Sequence, residues 1–187
     1  MPRKNPSLYD RQIEDLLEAA ELERDRRAGP FGDAVDVAAC AHVVARTYAD
    51  AFGSIEVVAP EGCHVLADAD VLQQILVNLI DNAYKYGKPP IRVQVEPTDQ
   101  QVIMSVVDSG PGVPCELRER IFERFTGLEP SGRPGIGLGL PIVRQLAAVC
   151  GGLVWVEDAP GAGAAFRVAL PLAHPAARAA KAVGSPA

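Results

Sequence analysis

Asn78-Leu-Ile-Asp-Asn82-Ala-Tyr-Lys85-Tyr86-Gly87 carries two amides, a lysine and a tyrosine through a segment that otherwise reads as buried. Asn78, Asn82, Lys85 and Tyr86 stand at i, i+4, i+7 and i+8, so an α-helix gathers them on one face. Leu72, Ile75, Leu76, Leu79, Ile80 and Ala83 recur at three- and four-residue steps and cover the rest. Buried amides need partners, and two of them beside a lysine point to a ligand. A neutral amide oxygen suits Mg²⁺, which keeps several waters and takes few protein ligands beside substrate phosphates. Lys85 offers charge to phosphate, and Tyr86 offers a ring to a base. The plainer alternative is a polar helix edge facing solvent.

Two glycine-rich segments follow, Asp108-Ser-Gly110-Pro-Gly112-Val-Pro114 and Gly135-Ile-Gly137-Leu-Gly139-Leu140. Asp108 leaves a strand and opens a Gly-Pro-Gly turn. Its carboxylate either accepts a hydrogen bond from an exocyclic amine or caps an Asx-type turn. Gly135, Gly137 and Gly139 precede a helix, where backbone N–H groups and the helix dipole favour phosphate. A dinucleotide fingerprint needs a strand directly before such glycines. Glu129-Pro-Ser-Gly-Arg-Pro134 stands there instead, and no G-x-x-x-x-G-K-[ST] sequence is present.

Working outward, residues 7–28 read as an amphipathic helix ending at Ala28-Gly29-Pro30, either packed on its own domain or half of a helical hairpin. Val35-Asp-Val37 reads as an edge strand and residues 38–51 as a helix. Residues 55–58 and 63–66 read as strands joined by the turn Pro60-Glu-Gly62. Asp68 or Asp70 caps the long helix through Tyr86. Residues 91–95 and 102–107 are strands, 115–122 a short helix, 126–135 a polar loop, and 138–150 a helix with Pro141 in its first turn. Residues 153–156 and 165–170 close the fold. The order predicts an α/β (α+β) two-layer sandwich, a mixed sheet covered on one face by helices and preceded by one amphipathic helix. The expected division is 1–29 partial helix, 30–173 main domain and 174–187 tail.

The 187 residues are 48% hydrophobic and 22% charged, a composition for a packed core, and the net charge of −6 argues against a general nucleic-acid surface. No apolar run approaches the roughly 18 residues of a membrane span, so no membrane contact is expected of this chain. The N-terminus lacks the apolar core of a secretory signal. Cys40, Cys63, Cys115 and Cys150 are scattered without metal-ligand spacing and read as small buried hydrophobes in a reducing cytosol.

The ordered set NLIDNAYKYG, DSGPGVP, IFERF and GIGLGL resembles the N box, first glycine box, F box and second glycine box of bacterial sensor histidine kinases. These belong to the gyrase, chaperone, histidine-kinase and mismatch-repair ATPase superfamily. The likeness spans about residues 30–172, through the closing GGLVWVEDAPGAGAAFRVALPL. It implies a catalytic domain that binds Mg-ATP. By the resemblance, Asn82 holds Mg²⁺ with Asn78 beside it, Lys85 meets phosphate and Tyr86 packs on adenine. Asp108 binds the adenine amine in a pocket shaped by Gly110 and Gly112. Phe122 and Phe125 anchor a lid over 126–134. Gly135, Gly137, Leu138, Gly139 and Leu140 line the phosphates, and Arg124 or Arg133 reaches the γ-phosphate. A cytoplasmic location follows, including as the cytosolic part of a membrane-bound sensor kinase.

Hydrolysing members carry a glutamate where this chain has Asn78, and an amide cannot take a proton at neutral pH. The resemblance therefore implies phosphoryl transfer, with Asn78 and Lys85 as the catalytic residues. The acceptor is a histidine in a dimerisation domain, in cis in a longer chain or in trans, and the phosphoryl group then passes to a response regulator. Two departures stand out. Ile136 replaces the usual small hydroxyl residue of the second glycine box. His42, His64 and His174 are not in an H-E/D-x-x-x-P setting, so no phosphoacceptor is visible. A non-catalytic ATP-binding regulatory module and a serine kinase of the anti-sigma-factor type remain as alternatives.

Overall fold

The computed structural model describes residues 33–124 and 137–173, and all of these lie in the unit that begins at Asp33. The helix expected over 7–28 and the tail from 174 fall outside the described residues. Asp33–Asp36 forms strand β1, and Asp36 then starts helix α1, Val37–Phe52. The Asp36 carboxylate accepts the N–H groups of Ala38 at 2.9 Å and Ala39 at 3.1 Å, donors that a helix start leaves open. Strands β2, Glu56–Val58, and β3, His64–Ala67, follow. Asp68 caps helix α2, Ala69–Tyr86, by accepting the Asp70 N–H at 2.8 Å. Of the two aspartates the sequence offered, the cap is therefore Asp68.

Beyond α2 come β4, Arg92–Pro97, and β5, Gln101–Val107, then helix α3, Gly139–Val149, and strands β6, Leu153–Asp158, and β7, Ala164–Pro171. The short helix expected over 115–122 is instead two separate 3₁₀ turns, Cys115–Leu117 and Arg120–Phe122. Neither has a side-chain cap, and Pro114 precedes the first.

The main sheet runs β2-β4-β5-β7-β6, with β2 parallel to β4 and every other pair antiparallel. β3 and α2 fill the connection from β2 to β4, the length a parallel crossover needs. The strands flanking Pro60-Glu-Gly62 do not share a sheet. β3 pairs with β1 in a separate two-stranded sheet, from Asp33↔Ala67 to Asp36↔His64. The turn was legible, but pairing is non-local and was not.

Register sorts the main sheet into two faces. Val95, Met104, Val168 and Val154 are neighbours across four strands, as are Val93, Val106, Phe166 and Val156. These rows form the core with Leu72, Ile75, Leu76, Leu79 and Ile80 of α2 and Val143 and Ala147 of α3. Gln94, Glu96, Arg167 and Glu157 alternate onto the opposite face, the pattern of an antiparallel sheet covered on one side. Each fully buried leucine or isoleucine contributes about 1.5–3 kcal/mol relative to exposure, so the apolar stripe of α2 fixes which face it turns away from the core. Cys40 and Cys63 are buried as expected, whereas Cys115 is exposed on the first 3₁₀ turn.

Candidate functional site

With its apolar stripe buried against the sheet, α2 keeps its polar residues at the edge of the core. The Asn78 amide nitrogen donates to the Gln74 carbonyl at 2.8 Å. Its oxygen faces the start of α3, 3.5 Å from where a Cβ on Gly139 would lie. One turn on, half-buried Asn82 makes no side-chain hydrogen bond to a described residue. Lys85 Nζ sits 3.4 Å from Asp81 Oδ2 in an exposed i,i+4 pair. Such pairs are worth about 0.3–0.5 kcal/mol, enough to orient the lysine without withholding it from a phosphate. Tyr86, the last residue of α2, is 47% exposed.

The second wall is built around Asp108, which follows β5 and is only 3% exposed. Its Oδ1 accepts the Gly110 N–H at 2.7 Å, and its own N–H donates to the Ala164 carbonyl at 3.0 Å. Ser109 N–H donates to the Lys88 carbonyl at 2.9 Å, which ties this loop to the end of α2. Gly87, the C-cap of α2, lies so close that a Cβ there would stand 2.6 Å from Asp108 Oδ1. A Cβ on Gly110 would likewise stand 2.6 Å from the Gly87 Cα. The carboxylate therefore sits in a cradle of glycines, with Oδ1 turned to Gly110.

Burial pushes the Asp108 carboxyl above its ordinary value of 3.8, against the pull of the Gly110 and Ala164 N–H groups. The native chain therefore holds this proton into a pH range where the unfolded chain has released it. The associated stability is complete below the unfolded value and is lost as pH rises through the folded one. Thermal melting of the wild type and of Asp108→Asn checks this. As pH rises from the ordinary value of 3.8 through the raised folded one, the wild type is expected to lose stability relative to the variant. A difference independent of pH would remove the assignment.

The third element is the start of α3. Gly137 has φ 65, and Leu138 at the N-cap supplies no side-chain acceptor. Pro141 has no N–H to offer, and Ile142 N–H is the first committed within the helix, to the Leu138 carbonyl at 3.0 Å. Uncapped N–H groups at a helix start favour an anion, and Leu138, Gly139 and Leu140 frame this one. The structure thus brings Asn78, Asn82, Lys85, Tyr86, Asp108, Gly110, Gly137, Leu138, Gly139 and Leu140 around α2 and its two flanking loops. Gly112, at φ 76, packs against the Gly163 carbonyl and acts at one remove. Phe125, Gly135, Ile136, Arg133 and the lid at 126–134 fall outside the described residues. Phe122 is buried in the core.

The donor set also fits a hydrated divalent ion. Among the described residues no cluster of three or more His, Cys, Asp or Glu side chains forms a metal cage. A cation here would take the uncommitted Asn82 oxygen and complete its shell with water and phosphate, as Mg²⁺ does.

Sequence reasoning missed Gly87 and Gly163 as parts of this site. Gly163 has φ 103, and a Cβ there would collide with the Asp108 carbonyl. Its signal was the Gly161-Ala-Gly163 pair directly before a strand, which marks a close backbone approach.

Residues 67–174 match the family described as Histidine kinase-, DNA gyrase B-, and HSP90-like ATPase. The signal transduction histidine-protein kinase AfsQ2 of Streptomyces coelicolor is 38% identical over 166 residues, 85% of this chain and 30% of that protein. The mycobacterial sensor histidine kinase MprB superposes with a TM-score of 0.64 at 29% identity, covering 75% of this chain and 97% of that one. Full-length ShkA, solved in complex with AMPPNP, gives 0.65 at 29% identity over 91% of this chain and 40% of that one. The chain belongs to this ATPase family, on the branch of the sensor histidine kinases. It spans about 30% of the length of AfsQ2 and of other curated relatives that it matches.

Proposed function

We propose that this chain binds Mg-ATP between α2, the Asp108 loop and the start of α3, and delivers the γ-phosphoryl group to a histidine of a dimerisation-type domain. Residues 30–173 form the ATP-binding part, residues 1–29 belong to the dimerisation hairpin, and a response regulator receives the phosphoryl group next. The observation that carries transfer over hydrolysis is the state of the polar groups on α2. Asn78 is an amide already donating to Gln74. The carboxylate within the same polar stretch of α2, Asp81, is engaged by the Tyr48 hydroxyl and faces Lys85. Neither is free to take a proton from water. That ShkA, a structural neighbour at 29% identity, was solved in complex with AMPPNP supports nucleotide binding. Asn82 holds the metal, Lys85 meets the phosphates, Tyr86 packs on the base and Asp108 reads its amine. The site works in the cytoplasm, where ATP is found, and no described helix is long and apolar enough to cross a membrane.

The test uses γ-labelled ATP and Mg²⁺ with the full chain, alone and with a dimerisation domain carrying an acceptor histidine. Label is expected on that histidine, acid-labile and base-stable, with little free phosphate from the chain alone. Rapid phosphate release by the chain alone and no labelled histidine would sink the proposal in favour of an ATPase.

A further inference from the structure

Helix α1 sends one side chain to the polar edge of α2. Tyr48 stacks on Tyr84 with ring centroids 6.0 Å apart and planes within 5° of parallel. Its hydroxyl donates to Asp81 Oδ1 at 2.6 Å, while Asp81 Oδ2 faces Lys85 Nζ at 3.4 Å. One carboxylate therefore joins α1 to the lysine of the nucleotide wall. At 3.6 residues per turn, Lys85 falls between Asp81 and Asn82 on the surface of α2. Asp81 is on the α1 side and Asn82 on the ligand side.

The two contacts of Asp81 differ in strength. The bond from Tyr48 is short, part-buried and charge-assisted, which places it in the strong class. The approach of Lys85 is longer and exposed. Tyr48 therefore sets the plane of the carboxylate, and the lysine follows it. Burial, then the Asp81 hydrogen bond, push the Tyr48 hydroxyl well above its ordinary pKa, so it stays a donor through the neutral range.

We propose that Tyr48 and Asp81 are positioning residues that hold Lys85 for the nucleotide phosphates, an inference that rests on Lys85 being a phosphate ligand. Neither touches the nucleotide. Their effect runs through the lysine and is felt by phosphates, not by the base.

The experiment is a double-mutant cycle on the full chain, with ATP and adenosine affinities measured by titration calorimetry. Tyr48→Phe keeps the ring stack and removes only the hydroxyl. It is expected to weaken ATP about 2-fold, the worth of the exposed Asp81–Lys85 pair through which it acts, and to leave adenosine unchanged. In a Lys85→Ala background the same substitution is expected to do nothing further. Asp81→Asn keeps an acceptor for Tyr48 but removes the charge facing Lys85. It should repeat the pattern, and it carries the test if Tyr48→Phe folds poorly. Equal weakening of ATP in both backgrounds, or weakening of adenosine as well, would mean that Tyr48 only supports packing and would overturn the inference. So would no change in ATP affinity. If Lys85→Ala itself leaves ATP affinity intact, the assignment of Lys85 fails first and the inference falls with it.

Discussion

Asp108→Asn is expected to weaken ATP on the order of 10- to 100-fold, the worth of a hydrogen bond to a charged group in a buried site. The argument is one of counting acceptors. The aspartate has two oxygens with two lone pairs each; Oδ1 accepts the Gly110 N–H at 2.7 Å, and the proposed amine of the base takes remaining acceptor capacity. An asparagine has a single oxygen. If it serves Gly110, its NH₂ group meets the donor on the base. If it serves the base, the Gly110 N–H loses its partner in a buried loop. Adenosine should lose as much as ATP, because the defect lies at the base and not at the phosphates. The variant is expected to fold, since a neutral side chain relieves the burial of charge that pushes the Asp108 carboxyl upward. Titration calorimetry with both ligands checks the expectation. Unchanged affinity for either would displace Asp108 from the base pocket.

What the sequence disclosed and what it hid divide along a physical line. α2 was legible because its signal is local. Six apolar residues at helical steps, an aspartate before the first turn and a glycine after Tyr86 each act within a few residues of themselves. The same holds for β4, where alternation survives because only one face is covered, whereas β5 was legible as a nearly continuous apolar run. The candidate site stood out in the sequence because its polar groups interrupt an apolar helix. The pairing of β3 with β1 was not, because strand register depends on partners far along the chain. The role of Gly163 was hidden for the same reason. It stands 55 residues from Asp108 by number (163 minus 108), and only the β5–β7 pairing, ending at Val107↔Ala165, brings the two backbones together. The tie from Tyr48 to Asp81 also crosses two helices, and no spacing rule announces it.

Gly163→Ala carries the second large effect, on the fold and the site together. Gly163 has φ 103, a conformation that costs an alanine about 1–3 kcal/mol. A Cβ there would also lie 2.7 Å from the Asp108 carbonyl carbon and 2.9 Å from the Ser109 Cα. Those are backbone atoms of a strand end, held by the Asp108 N–H to the Ala164 carbonyl at 3.0 Å, so they cannot swing aside like a flexible side chain. Overpacking of this kind adds about 1–3 kcal/mol. The expected total is roughly 3 kcal/mol or more, a fall in melting temperature of about 10 °C for a domain of this size. Gly161 supplies the control. It has φ 96, yet a Cβ there would meet nothing within 4 Å. Gly161→Ala should therefore show the backbone cost alone, and the difference between the two variants isolates the collision with Asp108. At a temperature where both are folded, Gly163→Ala should also lose ATP affinity and Gly161→Ala should not, because only the first displaces the carboxylate from its glycine cradle. Equal melting temperatures and equal ATP affinities for the two variants would show that the close approach of β7 to Asp108 has no part in building the site.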